Sequence, residues 1–470
     1  MDSHADALNA LALLKAVRDD DTDRAVALLA EDPGLSAVSI RTACAAGDVP
    51  AVLGFLAQDR GLAQQSLPPD HTPPLVYACV CEPKRARGVS DHDQAVIVGA
   101  LLEAGADPNT SIAIEDGHGR IPVLYFPCRA GNVAVARMLL EHGAHATDGE
   151  SLYHAAQHDH RDVLQLLVDF GADVSRGPVG VGTTPLYFLA SHRATNPIAP
   201  TVVRGIEWLL DHGVDPTVPL TVIGDGQHEW QRGETPLHRA AANGYDGKVL
   251  ARFVARGAEV DAARGDGATA YTLAVRSGNT AGAQWLASHG ADASRVTVTD
   301  RLLYACLTGD AEEARRMVAG HPGLIDTLSD PDAGALLQAM VDGKSEAVQL
   351  MLSLGWPLTP QSEWGGTALH WATWNADVSL VRDLLTHGAP VNVRDTRYGS
   401  SPIAWAAHGS CFSGTGSDEA YVRIVDMLLD AGSTREASIN RWNEPPESMA
   451  RPAVAAVLRA RGFAPGPSGV

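Results

Sequence analysis

One phrase returns along this chain with its small and apolar residues in the same places. It reads GETPLHRAAANG at Gly233 to Gly244, GATAYTLAVRSG at Gly267 to Gly278 and GGTALHWATWNA at Gly365 to Ala376. Degenerate copies read GTTPLYFLASH and GSSPIAWAAHG. A second phrase follows each copy, as in LLEAGADPN, LLDHGVDPT, WLASHGADAS and LLTHGAPVN. Where nothing is inserted, the spacing is roughly 33 residues, which places the chain among helical repeat arrays. In the first phrase Thr235 suits a helix N-cap, and Pro236 then falls at the first helical position, where a missing N–H costs nothing. Leu237, Ala240 and Ala241 are apolar at helical spacing, and the alanines let neighbouring helices approach. The glycine of the second phrase ends an outer helix in the left-handed conformation. One such unit cannot bury its own apolar face, so the units must stack.

The Thr-Pro-Leu-His phrase and the Gly-Ala-Asp phrase, repeated in register over nearly the whole chain, resemble the ankyrin-repeat family. The resemblance implies an all-α fold: an α-solenoid of about twelve helix-turn-helix units joined by hairpin fingers, with a C-terminal capping helix near Ser448 to Arg461. The expected organisation is degenerate repeats over 1–70, repeats with insertions over 71–295, degenerate repeats over 296–360, repeats over 361–435, and a cap and tail over 436–470. The stretch VPLTVIGDGQHEWQRG after Thr217 alternates Val218, Leu220 and Val222 and then turns at Asp225-Gly226, which predicts a long β-hairpin finger. Its place beside the groove makes it a candidate lid.

Charge narrows the partners. With 36 Lys and Arg against 56 Asp and Glu, the chain carries a formal charge of −20. Phosphate-backbone binding needs the opposite sign. The densest basic run, Lys84-Arg85-Ala86-Arg87, is short and lies among acids. No nucleic-acid partner is expected. No apolar run approaches the roughly 20 residues that span a bilayer, and the N-terminus is acidic ahead of its apolar part, unlike a secretory signal. The expectation is a cytoplasmic protein with no membrane partner.

The repeat register disposes of much apparent chemistry. Cys44, Cys79, Cys128 and Cys306 stand where other units place an inner-helix alanine, so they read as small buried hydrophobes. Cys81 and Cys411 fall outside that position and are the candidate reactive thiols. His142, His212, His289 and His387 each precede the glycine that ends an outer helix, where an imidazole favours the negative end of the dipole. By the resemblance, His238 and His370 tie adjacent units through backbone carbonyls. His154 and His158 have a metal-compatible spacing, but there is no HExxH pattern, and no metal is expected. The G-x-G stretches lie in inter-repeat loops, and no P-loop or GxSxG elbow is present. No cofactor is expected.

In the family that the chain resembles, partners dock on finger tips and on two positions near the end of each inner helix. Carried over position by position, the expected binding stripe comprises Arg129, His158, His192, Asn243, Arg276, Trp374, Asn375 and His408. The fingers add Glu229, Trp230, Trp364 and Tyr398. Exposed Trp, Tyr and Arg are the types that carry interface energy. Trp371, in the same TALHWATW segment, takes a position usually Leu and reads as core. The leading expectation is recognition of another protein, of unknown identity, through the concave groove. An alternative is an enzyme or small-molecule binder in which His408 or His192 works beside Glu229 or Asp418. A third is an inhibitor whose acidic surface captures a basic target.

Overall fold

The computed structural model describes residues 2–68, 71–113, 120–177, 183–194, 199–221, 231–362 and 365–463, with backbone alone for 2–6. Two compact units emerge, Met1–Ala270 with Ser288–Ala291, and Tyr271–Ala287 with Asp292–Val470. Each is built from stacked pairs of antiparallel helices, an all-α repeat solenoid.

In the first unit a short inner helix is followed by an outer one, as in Tyr125–Ala130 with Val133–Glu141 and Pro236–Ala242 with Gly247–Ala255. The inner helices bury alanine and cysteine. Ala43, Cys44, Cys79, Cys128, Ala155, Ala240 and Ala241 are all fully buried, which holds the spacing between successive pairs. The outer helices end at left-handed glycines, among them Gly143, Gly213 and Gly257. The preceding histidines act on that turn: Nδ1 of His142 meets the Met138 carbonyl at 2.8 Å and that of His212 the Trp208 carbonyl at 2.8 Å. His289 differs, with its Nδ1 on Ser288 Oγ at 3.0 Å.

The fold is not purely helical. Ser111–Ala113 pairs antiparallel with Arg120–Pro122, Ile112 opposite Ile121. The finger after Thr217 closes at its base: Leu220 donates to the Glu234 carbonyl (2.8 Å) and accepts from the Gly233 N–H (2.9 Å). Residues 222–230, which hold the tip of that candidate lid, lie outside the described residues. Gly233 has φ +84°, a glycine bulge. The same closure recurs at Arg264 with Gly267-Ala268 (3.0 and 2.8 Å).

The basic run Lys84-Arg85-Ala86-Arg87 is buried at Lys84 and exposed at Arg85, Ala86 and Arg87. It sits on a short helix, Glu82–Ala86. Lys84 is buried, with Nζ on the carbonyls of Tyr77 (2.5 Å) and Val80 (2.7 Å). Burial pulls its ammonium down to about 8. Arg85 pairs with Asp91 and reaches the Ala130 carbonyl, and Arg87 reaches that of Ala46. Cys81, expected as reactive, is fully buried beside Gln94 and Asn132, and burial raises its thiol to about 11. A thiol so raised is a poor nucleophile.

The second unit stacks Val298–Thr308, Ala335–Val341, Ala368–Trp374 and Pro402–Phe412 as inner helices. Its fingers close as in the first unit, at Ser362 with Gly365-Gly366 (2.9 and 2.8 Å) and at Asp395 with Gly399-Ser400 (2.9 and 3.1 Å). The cap is two helices, Pro446–Met449 and Pro452–Ala460, not the single one expected. Pro452 excludes the helical conformation from the residue before it, and the chain bends at Ala450-Arg451.

Candidate functional site

The TALHWATW segment forms the inner helix Ala368–Trp374, with Thr367 as N-cap. His370 is fully buried and holds three groups at once. Its Nδ1 accepts from the Thr367 N–H (3.1 Å) and lies 2.8 Å from the Thr367 hydroxyl. Its Nε2 donates to the Ser400 carbonyl, one repeat later, at 3.0 Å. Burial lowers it to about 4, so it is a neutral tie. His238 repeats the arrangement on Thr235 and Ala262. Both histidines do what the family resemblance implied.

One repeat later the inner helix is longer. Pro402–Phe412 has 11 residues against 7 in Ala368–Trp374, because the insertion GSCFSGTGSDE begins as an extra turn. Gly409 lets the two helices approach: a Cβ there would lie 2.9 Å from the Trp374 carbonyl. This brings equivalent positions of neighbouring repeats together. Trp371 meets Trp405 with ring centroids 5.2 Å apart at 77°, and Trp374 meets His408 at 5.8 Å. Trp374 and Trp405 meet at 6.1 Å and 74°.

Asp395 organises the other wall from within the finger. It is buried, and its carboxylate accepts from the backbone N–H of Arg397 (2.9 Å), Tyr398 and Ser400 (2.8 Å) and from Trp405 Nε1 (3.0 Å). One side chain therefore fixes both Tyr398 and Trp405, whose rings lie 6.1 Å apart. Beyond the last repeat, the Asn440–Glu444 turn closes with Asn443 in the left-handed conformation and holds Trp442 out, 60% exposed. Its ring lies 6.2 Å from that of Tyr398.

Together these residues line an open cavity of about 480 Å³, walled by Trp371, Trp374, Tyr398, Trp405 and Trp442, with Ser400, His408, Asn440, Glu444 and Met449 also in its lining. That volume lies in the usual range for ligand sites. Burial lowers the His408 imidazole, opposed by the charge of Glu444. Glu444 accepts from Asn440 Nδ2 at 2.8 Å and makes no ion pair among the described residues. Trp371, read from sequence as core, is half-buried with Nε1 on Ser362 Oγ (3.1 Å), and it forms a wall of this cavity.

Of the expected stripe, the second unit gathers Trp374, Tyr398 and His408 here, with Asn375 exposed at the end of the same helix. Arg276 is held in ion pairs with Asp300 and Asp332, both buried, and acts as a strut. In the first unit Arg129 pairs with Asp20, and Asn243 donates to the carbonyls of Ala190 (3.1 Å) and Arg239 (2.9 Å). His192 Nε2 meets Tyr153 Oη at 3.1 Å, and His158 lies against His160 with centroids 5.9 Å apart. Burial lowers both His158 and His192. His154, lowered to about 4 by burial, bonds the Glu150 carbonyl at 3.0 Å. Among the described residues no group of three His, Cys, Asp or Glu could hold a metal ion. Glu229, Trp230 and Trp364 lie outside the described residues. Asp418, a suggested partner of His408, instead pairs with Arg451 at 3.1 Å. Sequence reasoning missed Trp405, Trp442, Glu444 and Met449.

Comparison with known families matches residues 86–178 and 202–297 to the family described as Ankyrin repeats (3 copies), and residues 336–385 to Ankyrin repeats (many copies). The chain belongs to the ankyrin-repeat family. Among curated proteins, this ankyrin-repeat chain is 27% identical over 184 residues to Probable E3 ubiquitin-protein ligase XBOS33 of Oryza sativa subsp. japonica. The match covers 37% of the chain and 32% of that relative, so the chain spans about a third of the relative's length. No helix among the described residues is long and apolar enough to cross a membrane.

Proposed function

We propose that this ankyrin-repeat protein, an array of about twelve units, recognises another protein through the aromatic face of its second unit, with Trp374, Tyr398 and His408 as anchors. Ankyrin repeats in general mediate protein–protein interaction. The observation that supports a location is the exposed aromatic cluster: Trp442 and Phe412 stand 60% and 69% exposed beside the half-buried Trp374 and Tyr398. Single exposed apolar residues are ordinary, whereas contiguous ones mark interaction sites. Aromatic anchors ringed by polar residues are the usual centre of interface energy. The remaining stripe residues, Arg129, His158, His192, Asn243, Arg276 and Asn375, together with Glu229, Trp230 and Trp364, are proposed as flanking contacts; Arg276 and Asn243 are the weakest of these, being already bonded within the fold.

The test is affinity capture from the native cell extract with wild type and with a Trp374→Ala, His408→Ala double variant. Loss of specific partners from the variant, with its melting transition retained, supports the reading. Equal recovery of the same partners contradicts it.

A further inference from the structure

The aromatic walls do not form a stack. Neighbouring rings meet at 77° (Trp371 and Trp405), 74° (Trp374 and Trp405) and 63° (Tyr398 and Trp405). Such angles turn the rings across one another about the buried Trp405, and the half-buried Trp371, Trp374 and Tyr398 and the exposed Trp442 make a corner for one occupant. A ring face carries negative potential and attracts a cation within about 6 Å of its centroid. Among the described residues the rings are joined in the lining by Ser400, Asn440 and His408, Glu444 supplies a carboxylate, and no lysine or arginine contributes.

We infer that this corner takes the alkylated ammonium group of a lysine side chain presented by the partner protein, an assignment that rests on the protein-recognition reading above. The hydrogen-bonding capacity of the walls chooses among cations. The Asn440 side-chain oxygen already accepts from the N–H groups of Trp442 (3.0 Å) and Glu444 (2.9 Å). The Ser400 carbonyl is taken by His370. Trp405 Nε1 and Trp371 Nε1 are spent on Asp395 and Ser362. Among the described lining residues Glu444 is the one carboxylate, beside the uncharged acceptors Ser400 Oγ, Tyr398 Oη and the His408 ring. An unmodified ammonium brings three donors and a guanidinium five, and each donor stripped of water without a partner carries a cost. Methyl groups remove donors and add apolar surface while keeping the charge, so a methylated ammonium suits a wall of rings with one carboxylate.

Charge acts in both senses. The chain is formally −20, and the nearby cations Arg397 and Arg441 lie outside the lining, each 5.8 Å over the rings of Tyr398 and Trp442 respectively. Those two arginines show the same rings serving as cation faces. The source is a protein side chain because the corner is open and continues onto exposed Trp442 and His408, which offer contact to residues flanking the modified one.

Calorimetric titration of the full chain tests the assignment with three short peptides identical but for one residue: trimethyllysine, lysine, and a neutral tert-butyl isostere of trimethyllysine. The expected result is trimethyllysine bound roughly tenfold more tightly than either of the others. Trp442→Ala and Glu444→Gln, both on exposed side chains, should each weaken it while circular dichroism and melting stay unchanged. Equal affinity of the neutral isostere would overturn the assignment and leave an apolar pocket. So would absence of trimethyllysine binding, or choline bound as tightly as the peptide, which would make the ligand a free small molecule. If trimethyllysine fails while partner capture still depends on Trp374 and His408, the inference falls and the broader reading stands.

Discussion

Asp395 Oδ2 and Trp405 Nε1 lie 3.0 Å apart in the interior of the last full repeat. The same carboxylate gathers three backbone N–H groups of its own finger. The finger and the central ring of the aromatic corner are thus set by one buried side chain, which touches no partner itself.

Asp395→Ala should therefore damage both fold and site. Four donors lose their acceptor in a buried place, and each unsatisfied group costs about 1–3 kcal/mol. Relaxation and water entry reduce the sum, so a loss of at least about 2 kcal/mol in chemical denaturation is expected, with weaker partner binding in the surviving folded fraction. A change under 0.5 kcal/mol would remove Asp395 from this role.

The finger glycines make a matched pair of substitutions. Gly365 and Gly267 have the same left-handed conformation, φ +84° and +82°. A Cβ on Gly365 would stand 2.6 Å from Thr396 Oγ1 and 2.8 Å from the Arg397 nitrogen, whereas none of the described residues lies within 4 Å of one on Gly267. Gly267→Ala carries only backbone strain, about 1–2 kcal/mol. Gly365→Ala adds a clash with backbone and should cost clearly more. Melting temperatures of the two variants decide the order, and the reverse order would refute the geometry.

Lys84 gives a pH signature. Its pKa falls from 10.5 to about 8 on folding. Between those values the unfolded chain holds a proton that the folded chain has lost, so the lysine's contribution makes stability rise with pH there, by about 3 kcal/mol at most. Below pH 8 both states are protonated and the term is flat. The neighbouring thiols act in the opposite sense above pH 9, since burial holds Cys44 up near 12 and Cys81 near 11. Comparing wild type with Lys84→Met isolates the lysine: wild type should gain on the variant as pH climbs from 8 toward 10.5. Parallel curves would contradict the burial of a titrating ammonium.

The repeated phrases carried the helices, their caps and the histidine ties, because each is a local arrangement with a residue signature. Trp374 and His408 were legible for the same reason, as they occupy one register position in adjacent units. Trp371, expected as core because its position is usually Leu, packs against the core but is only half-buried and also faces the cavity. Its partner one repeat on is Trp405, and two large rings in neighbouring units cannot both sink into a helix interface spaced by alanine. Trp442, Glu444 and Met449 follow the last repeat, where no register exists to place them. Nothing in the sequence marks Lys84 as buried; its carbonyl partners in Tyr77 and Val80, and those of Arg85 and Arg87 in Ala130 and Ala46, become visible only when the chain folds back.

The buried pair of Arg264 and Glu234, 2.7 Å apart with side chains 6% and 1% exposed, gives a stability test in the first unit. Tyr187 Oη donates to the same carboxylate at 2.7 Å. Arg264→Met leaves Glu234 with the Tyr187 hydroxyl and the more distant Arg239 guanidinium at 3.8 Å, and removing one partner of a buried pair costs about 3–5 kcal/mol. Urea denaturation should show a loss of that order, while replacement of the exposed Arg316 by alanine should change little.

The central claim is that partner binding passes through the aromatic face of the second unit. The most direct measurement is the dissociation constant of a captured partner for wild type, Trp442→Ala and the outer-helix control Arg316→Ala. The account predicts weakening of tenfold or more for Trp442→Ala, about 1.4 kcal/mol, with Arg316→Ala unchanged. Equal affinity of Trp442→Ala and wild type, with both folded, would contradict it.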